Sequence, residues 1–431
     1  MNLKLPMAIV CTLLASAASA QDFVPNYDEA KVPQYELPDP LVTEDGNPVR
    51  DAETWQRVRR PETLALFEQH VFGRSPDPVP IRHQLVSTAE NALGGKAVRR
   101  EIDITIGPSN RAVTMRMLLY TPRSASQPVP GFLGLNFGGN HTVDPDPAIS
   151  ITTNWVREGR NGTTDGNRAT EAGRGSAAAN WQVEQIIDRG YALATIYYGD
   201  IDPDFHDGFE NGIHAAFKRW EAGVPQAERW GSIAGWAYGL SRALDYLELD
   251  ERVDGSRVAV IGHSRLGKTA LWAGATDPRF KLVISNNSGC GGAALSRRAF
   301  GETVWRINTA FPHWFCGRHS DYNNNEAALP VDHHQLIALI APRAVYVASA
   351  VDDRWADPKG EFLSTVHADP VYRLLGTDGL GGSAPPQELP PIDQALRSGT
   401  IGYHIRSGGH DVTDYDWTQY LAFADQHLKG E

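Results

Sequence analysis

The sequence predicts an α/β fold in which a mostly parallel central sheet lies between helices on both faces, as a three-layer sandwich. Two observations support this prediction: short apolar runs alternate with helical patterns from residue 113 onward, and most of the runs lack polar–apolar alternation. Such runs are typical of strands buried on both faces, as the strands of parallel sheets are. No internal repeat or linker-like change of composition interrupts the pattern, so we expect residues 21–431 to form a single domain.

The chain is expected to run as an extended arm, rich in Pro and Asp, over residues 21–50. One helix is predicted over residues 53–72, and a second between Trp230 and Leu249, where apolar side chains recur every three or four residues. A terminal helix is predicted near Trp417–Leu428. The expected strands are Val113–Tyr120, Gly131–Phe137, Tyr191–Tyr197, Arg257–Gly262, Lys281–Ser285, Arg343–Ser349 and Ile401–Ile405.

Three stretches, at residues 138–180, 306–332 and 365–400, are too long to be simple connections. Loops of this length in a compact domain usually carry function or small elements of their own. We interpret them as insertions that form a binding cleft. For the first stretch, which is rich in Gly, Asn, Thr and Arg, a surface decoration is the alternative interpretation.

Composition and charge exclude several classes of protein. The hydrophobic content of 41% is too high for a disordered chain, and 52 acidic against 40 basic residues argue against a nucleic-acid partner. No run of 18 apolar residues occurs, so no membrane-spanning helix is expected. Residues 1–20 carry a Lys, an apolar stretch and an Ala-Ser-Ala end, which predict a signal peptide and a periplasmic or secreted protein. We expect a monomer with no cofactor and no metal.

The most informative segment is a buried strand that stops at Gly262 and is followed by Ser264 and, at once, by a helix. A nucleophile elbow is built this way, because a sharp strand-to-helix turn exposes the serine hydroxyl above the sheet. The helix N-terminus also offers backbone N–H groups to a developing oxyanion. The second glycine of the usual G-x-S-x-G pattern stands one position late, at Gly267, and an N-cap serine is the alternative interpretation.

A nucleophilic serine needs a base, and the base needs an acid that orients it. In α/β-hydrolases the acid follows the serine along the chain, and the histidine follows the acid. His410 stands on a Gly-flanked loop after the last predicted strand, which is the place of the base. Asp352 and Asp353 directly follow the preceding strand, and from the residues alone either could be the acid.

The residues around the serine resemble those of a known family. Gly262-His263-Ser264-Arg265-Leu266-Gly267-Lys268 is similar to the G-x-S-R-x-G-K signature of the glucuronoyl esterases, carbohydrate esterase family 15. The likeness continues over most of the mature chain, in residues 288–294, 301–303, 311–316, 353–355 and 409–411. It implies the α/β-hydrolase fold and metal-independent, serine-based hydrolysis of the ester between 4-O-methyl-glucuronic acid on xylan and lignin alcohols.

The resemblance also implies a role for each residue of the site. Ser264 would attack the uronic-acid carbonyl while His410 takes its proton. The side chain and the backbone N–H of Arg265 would stabilise the oxyanion, a task that suits a guanidinium because it stays charged and its donors are directed. The implied sugar-binding residues are Lys268, Glu302 and Trp355.

One position departs from the family pattern. Many members hold the triad acid as a Glu just before the Ser-Gly pair, where this chain has Asn287. Asn can orient an imidazole but cannot neutralise an imidazolium. The acid is therefore expected after the penultimate strand, where the spacing to Trp355 favours Asp353, with Asp352 as the alternative.

Two cysteines remain once the signal peptide is removed, Cys290 and Cys316. In an oxidising compartment such a pair favours a disulfide over a metal site, and the family resemblance supports the same pairing.

Other functions are compatible with parts of the sequence. An acetyl-xylan or feruloyl esterase could share the fold, but its ester would offer no uronate sugar to Arg265, Lys268 and Glu302. Asn287 leaves room for a non-catalytic carbohydrate-binding protein on a hydrolase scaffold, which an intact Ser264 disfavours. A metal hydrolase is disfavoured because no H-E-x-x-H motif occurs.

Overall fold

The computed structural model describes residues 23–108, 110–159 and 161–429, and the predicted signal peptide, residues 1–20, lies outside them. The strands are β1 (Arg82–Asn91), β2 (Ala97–Ile106), β3 (Val113–Pro122), β4 (Val129–Asn136), β5 (Thr164–Asp165), β6 (Arg168–Ala169), β7 (Ala192–Tyr197), β8 (Val253–His263), β9 (Leu282–Asn286), β10 (Ala344–Ala350) and β11 (Ile401–Arg406). Nine of them form one sheet in the order β1-β2-β3-β7-β4-β8-β9-β10-β11, while β5 and β6 pair separately.

The sheet is antiparallel at one side and parallel over the rest. Strands β1, β2, β3 and β7 pair in antiparallel fashion, and every pairing from β7 through β4 to β11 is parallel. His263 lies beside Asn286, and Asn286 lies beside Ala348 on the next strand. This register brings the residues that follow β8, β9, β10 and β11 together at one edge of the sheet. The predicted fold class, a mostly parallel α/β sheet, is confirmed.

Helices cover both faces of this sheet. The helices are α1 (Ala52–Thr54), α2 (Arg60–His70), α3 (Ala92–Gly95), α4 (Ala178–Trp181), α5 (Val183–Asp188), α6 (Tyr198–Ile201), α7 (Gly212–Glu221), α8 (Ser232–Leu247), α9 (Arg265–Thr276), α10 (Val304–Ala310), α11 (His333–Ala338), α12 (Pro358–Leu374) and α13 (Asp414–Leu428). Trp236 of α8 and Trp272 of α9 belong to one buried apolar cluster, while Ile186 of α5 and Trp417 of α13 belong to the other. Two apolar clusters separated by a sheet are what a three-layer sandwich requires.

The seven predicted strands are all present, but β1 and β2 were not predicted from the sequence. β1 is mostly exposed, and β2 places Arg99 and Glu101 in buried positions, so neither strand carries a plain apolar run. The helix predicted over residues 53–72 is divided into α1, a π-helical turn at Trp55–Arg59 and α2. The long stretch predicted at 365–400 begins inside α12. This helix was not predicted because it contains Pro358 and Pro370, and proline is unfavourable inside a helix.

The predicted disulfide is not formed in the structure. Cys290 and Cys316 are both free thiols, and both are buried. The thiol of Cys316 donates to the carbonyl of Gln69 at 3.6 Å, and its backbone N–H donates to Val71, so this residue faces the end of α2. Burial raises the pKa of both thiols, that of Cys316 to about 11, so both are protonated and pack as small apolar groups. Sequence spacing does not determine where a thiol points. In the described residues no helix is long and apolar enough to span a membrane.

Candidate active site

Ser264 occupies a sharp turn between β8 and α9. Its backbone has a φ of +57° and a ψ of −128°, and helix α9 begins at the next residue. A positive φ is uncommon in a residue with a side chain and is found where the surrounding structure holds the turn in place. Here the N–H of Ser264 donates to the carbonyl of Asn286 at 2.9 Å, which ties the turn to the neighbouring strand. The predicted nucleophile elbow is present in the structure.

Two glycines allow this turn to form. A Cβ atom on Gly262 would lie 1.9 Å from the carbonyl oxygen of Leu266, so no side chain fits there. A Cβ atom on Gly267 would lie 3.0 Å from the Cβ of Ser288 and 3.1 Å from the oxygen of Gly262. The glycine that comes one position late in the sequence therefore lets the first turn of α9 approach both β8 and the loop that follows β9.

His410 and Asp353 meet across the edge of the sheet. The Nδ1 atom of His410 donates to Oδ2 of Asp353 at 2.6 Å, and the donor is assigned because an ionised carboxylate can only accept. The Asp353 side chain is 4% exposed, whereas the His410 ring is 42% exposed. Asp352 is exposed, and its backbone N–H donates to the carbonyl of Gly408. The structure brings Asp353, the expected acid, to the histidine, and not its alternative Asp352.

The ionisation of Asp353 is set by its neighbours. Burial raises the pKa of this carboxyl, but the hydrogen bond and the charge of His410 outweigh burial and hold the pKa below its usual value. The amide of Asn287 adds to this effect, because its Nδ2 donates to the same Oδ2 atom at 2.8 Å. Asp353 is therefore an anion at neutral pH and keeps the proton of His410 on Nδ1. The other ring nitrogen, Nε2, is then free to accept a proton.

Asn287 occupies the position at which many family members have the acid. It has a φ of +46°, its backbone N–H donates to Ala348 at 2.7 Å, and its side chain is buried. Its Oδ1 atom is buried without a hydrogen-bond partner among the described residues. Its amide orients Asp353 and supplies no charge to the imidazole.

The loop that carries His410 is held by Arg406, the last residue of β11. This buried guanidinium donates to the carbonyls of Ser407, Gly409 and Asp411, on both sides of the histidine. Its Nε donates to Oδ2 of Asp416 on α13 at 2.7 Å, and this carboxylate is also fully buried. Hydrogen bonds from the Arg406 side chain to these backbone carbonyls therefore position the base, together with the bond from the N–H of Asp352 to Gly408.

The Arg265 side chain lies among aromatic rings. Its guanidinium carbon is 4.8 Å from the centre of the Trp314 ring and 5.6 Å from that of Phe311. Nη1 is paired with Asp204, and Nε is buried with no hydrogen-bond partner among the described residues. A buried donor without a partner is costly, so it is suited to an anion that forms only during a reaction.

Asp204 is a buried carboxylate that the sequence did not single out. It accepts hydrogen bonds from His313 at 2.8 Å and from Trp314 at 2.7 Å, and it pairs with the guanidinium groups of Arg265 and Arg157. Burial raises its pKa, but the hydrogen bond from His313 and the charges of both arginines outweigh burial and hold the pKa far below its usual value. Its partners lie up to 110 positions away along the chain, so no local motif points to it.

The three predicted sugar-binding residues lie close to one another. The Nζ atom of Lys268 donates to the carbonyl of Ser288 and lies 3.8 Å from the carboxylate of Glu302, and both side chains are more than nine-tenths buried. Burial raises the pKa of Glu302, and the charge of Lys268 opposes this effect. The backbone N–H of Glu302 donates to the carbonyl of Trp355 at 3.0 Å, which links α10 to the residues after β10.

One cavity of about 360 Å³ unites these groups. All of the residues predicted to act in catalysis or sugar binding line it, together with Arg306, Phe311 and Trp314, which the sequence did not assign. No group of three or more His, Cys, Asp or Glu side chains in the described part of the chain is arranged to hold a metal ion. The residues predicted to act in catalysis or sugar binding are Ser264, Arg265, Lys268, Glu302, Asp353, Trp355 and His410.

Known proteins match the chain over nearly its whole length. Residues 224–376 match the family model described as glucuronyl esterase of fungi. The carbohydrate esterase MZ0003, from an unknown prokaryotic organism, is 52% identical over 408 residues, 94% of this chain and 92% of that protein.

Two solved structures show the same likeness. A promiscuous CE15 esterase from the marine bacterial metagenome is 52% identical, with a TM-score of 0.87 over 94% of this chain and 100% of that one. A glucuronoyl esterase from Solibacter usitatus is 47% identical, with a TM-score of 0.85 over 92% of this chain and 99% of that one.

A mostly parallel sheet with a serine elbow after β8, and an imidazole on the loop after its last strand, defines an α/β-hydrolase with a serine nucleophile. Its relatives are esterases, so the class is that of the carboxylic ester hydrolases. The likeness in sequence and structure to known proteins specifies one family within that class. The chain belongs to the glucuronoyl esterases, carbohydrate esterase family 15.

Proposed function

We propose that this esterase hydrolyses the ester between (4-O-methyl-)glucuronic acid of xylan and lignin alcohols. The proposal rests on one observation above all, that the buried Lys268–Glu302 pair lines the same cavity as Ser264 and His410. A cation and a carboxylate 3.8 Å apart can donate to and accept from neighbouring sugar hydroxyls. The family membership and the glucuronoyl esterase from Solibacter usitatus, 47% identical, support the same substrate class.

The reaction follows from the roles that the geometry allows. Ser264 Oγ attacks the uronate carbonyl carbon while His410 Nε2 takes the hydroxyl proton, and Asp353 stabilises the imidazolium that forms. The carbonyl oxygen becomes an anion that the backbone N–H and the side chain of Arg265 stabilise. The C–O bond to the alcohol then breaks, and His410 returns the proton to the departing oxygen. Water, activated by the same imidazole, releases the uronic acid and regenerates Ser264.

The sugar-binding residues separate this proposal from the other esterases. In an acetyl or feruloyl esterase the acyl half of the ester is not a uronate sugar, so the buried charges of Lys268 and Glu302 would have no sugar hydroxyls on that half to replace water. Hydrolysis of benzyl glucuronate, p-nitrophenyl acetate and methyl ferulate distinguishes the cases. We expect benzyl glucuronate to have the highest kcat/KM, and a preference for either of the other two esters would overturn the substrate class.

A variant of the lysine tests the sugar contact directly. Lys268→Met should lower kcat/KM for benzyl glucuronate by about 30-fold, the loss of a charged hydrogen bond of about 2 kcal/mol. Its activity on p-nitrophenyl acetate should change little, because this ester makes no sugar contact. Lys281→Met is the matched control, since Lys281 is exposed and lies outside the cavity. Equal losses on both esters would contradict a sugar-binding role.

The alternative of a non-catalytic binding protein is tested at the serine. Ser264→Ala should abolish ester hydrolysis in the proposed enzyme and leave the side chains of the sugar-binding residues in place. If xylan oligosaccharide binding were the only function, the variant and the parent would behave alike in every assay.

Export, domain organisation and oligomeric state complete the proposal. We infer that residues 1–20 are removed on export to the periplasm or beyond, as the Ala-Ser-Ala end supports. The mature chain then acts as a monomeric single domain whose long insertions shape the cleft. Intact mass of the exported protein tests the cleavage after Ala20, and size-exclusion chromatography with light scattering tests the monomer.

A further inference from the structure

A second cavity adjoins the active site at His263 and at the loop of His410. It has a volume of about 310 Å³, and apolar atoms form most of its wall. The side chains that matter for its character are Phe137, Ala177, Trp181, Ile261, Val412 and Trp417. A cavity of about 150 Å³ is enough to hold benzene, so an aryl group with a short substituent fits this volume.

Two imidazole rings stand where the two cavities meet. His410 lines the active-site cavity, and His263 lines the second one, with 4.4 Å between the centres of their rings. The residues next to these two histidines in the chain are divided between the cavities in the same way. Ser264 lines the active-site cavity, while Gly262 and Asp411 line the second cavity. The second cavity is therefore adjacent to the nucleophile and the base.

The second cavity presents almost no charge to a ligand. The Nδ1 of His263 lies 2.6 Å from Oδ1 of Asn286, whose own Nδ2 donates to Asp416 and Tyr420, so His263 is the donor. Burial and the charge of His410 lower the pKa of His263 to about 4, which leaves the ring neutral. Among the described residues that line the wall, the one carboxylate is Asp411, which is exposed and accepts from the amide of Asn180. An uncharged aromatic ligand suits such a wall.

The chemistry of ester cleavage decides which half of the substrate lies here. The acyl half stays bonded to Ser264 Oγ, and its sugar contacts Lys268 and Glu302 under the proposed function. The alcohol half must leave beside His410, because its oxygen takes the proton from Nε2 of that residue. The substituent of the alcohol therefore extends along the His410 side of the site, where the apolar cavity lies.

We propose that this cavity is the binding site for the aryl group of the alcohol half of the ester. The inference rests on the proposed function, and it adds that the enzyme selects its alcohol as well as its acid. An aryl alcohol would enter with its ring between Phe137 and Val412, next to the neutral face of His263. A methyl ester would leave the cavity empty.

Filling the cavity tests the proposal. Ala177→Phe places a ring on the wall of the second cavity and changes no residue that lines the active-site cavity. We expect kcat/KM for benzyl glucuronate to fall at least tenfold, and that for methyl glucuronate to stay within twofold. Ala179→Phe is the matched control, because Ala179 is exposed on helix α4, which begins directly after Ala177, and does not line the cavity. It should leave both esters unchanged.

A second variant guards against a folding defect in the first. Val412→Asp adds a charge to the same wall without adding a ring, and it should again lower the rate on the benzyl ester more than that on the methyl ester. Benzyl alcohol should inhibit methyl glucuronate hydrolysis by the parent and not by Ala177→Phe. Equal effects on the two esters in both variants would overturn the aryl site. Failure of the parent to cleave either glucuronate ester would instead overturn the proposed function.

Discussion

Replacing Asp353 by Asn removes one charge from the proposed triad and leaves its hydrogen-bond geometry in place. Oδ2 of Asp353 accepts from both His410 and Asn287. In Asp353→Asn the amide of Asn287 would select the orientation in which the new side-chain oxygen occupies this position. His410 would then keep its proton on Nδ1. The variant thus isolates the charge from the tautomer.

The expected loss of kcat in Asp353→Asn follows from the distance between the imidazolium of His410 and the carboxylate of Asp353. A unit charge on the imidazolium 2.6 Å from the carboxylate oxygen gains about 6 kcal/mol at an effective dielectric constant of about 20. This is an upper bound, because the charge is shared by two oxygens and the amide oxygen still accepts a hydrogen bond. We expect a loss of about 4–5 kcal/mol of transition-state stabilisation, which lowers kcat by about 10³- to 10⁴-fold.

The assay is kcat on benzyl glucuronate for Asp353→Asn beside Asp352→Asn. Asp352 is exposed and contacts the histidine loop through its backbone, so its variant should keep more than half of the parent activity. Circular dichroism and thermal unfolding would show that both variants are folded. A larger loss in the Asp352 variant than in the Asp353 variant would refute the assignment of the acid and the charge argument with it.

Three further predictions concern the supports of the site. Asp204→Asn should lower the melting temperature and reduce kcat more than it changes KM, because Arg265 loses its buried counter-ion. Gly267→Ala should destabilise the protein by about 1–3 kcal/mol and lower kcat, because its Cβ would press on Ser288 at 3.0 Å. Glu361, fully buried beneath the loop after β9, has its pKa raised by burial to about 8. The native state then binds more protons than the unfolded state between pH 4.5 and 8, so the free energy of unfolding falls as the pH rises through this window. Glu361→Gln should remove this pH dependence.

Each of these predictions has its own control. For Asp204 the dependence of stability on pH has the opposite sign, because the pKa of this carboxyl is lowered in the native state. Asp204 therefore stabilises the protein fully above the usual aspartate pKa, and this stabilisation is lost on acidification. The Asn variant should therefore unfold less steeply in acid than the parent. Gly223→Ala is the matched control for Gly267→Ala, because the nearest atom to its Cβ would be 3.5 Å away. A melting temperature of Glu361→Gln that follows the parent at every pH would contradict the raised pKa.

The parts of the site that the sequence could predict are those that chain order determines. A strand, a serine and a helix in succession locate Ser264, and the end of the last strand locates His410. The register of parallel strands then brings the residues after β10 to the same edge, so that only the choice between Asp352 and Asp353 needed side-chain directions.

Other features depend on contacts that chain order does not encode. Asp204 lies in a segment without hydrophobic periodicity, and the side chains that pair with its carboxylate come from three distant parts of the chain. The disulfide prediction was wrong for a related reason, since the thiol of Cys316 donates to the carbonyl of Gln69 on a distant part of the chain, and both thiols are free. Strand β1, exposed along most of its length, has no apolar signal to detect.

Arg406 positions the histidine loop through the backbone of the loop and not through its side chains. The loop residues Ser407, Gly408 and Gly409 are exposed, and the hydrogen bonds of Arg406 to the loop go to carbonyl oxygens, which every amino acid supplies. A Cβ atom on Gly409 would meet no atom within 4 Å, so this position on the rim of the cleft can change while the base keeps its place. Arg406 itself has no such freedom, because its buried guanidinium donates to three carbonyls of the loop at once.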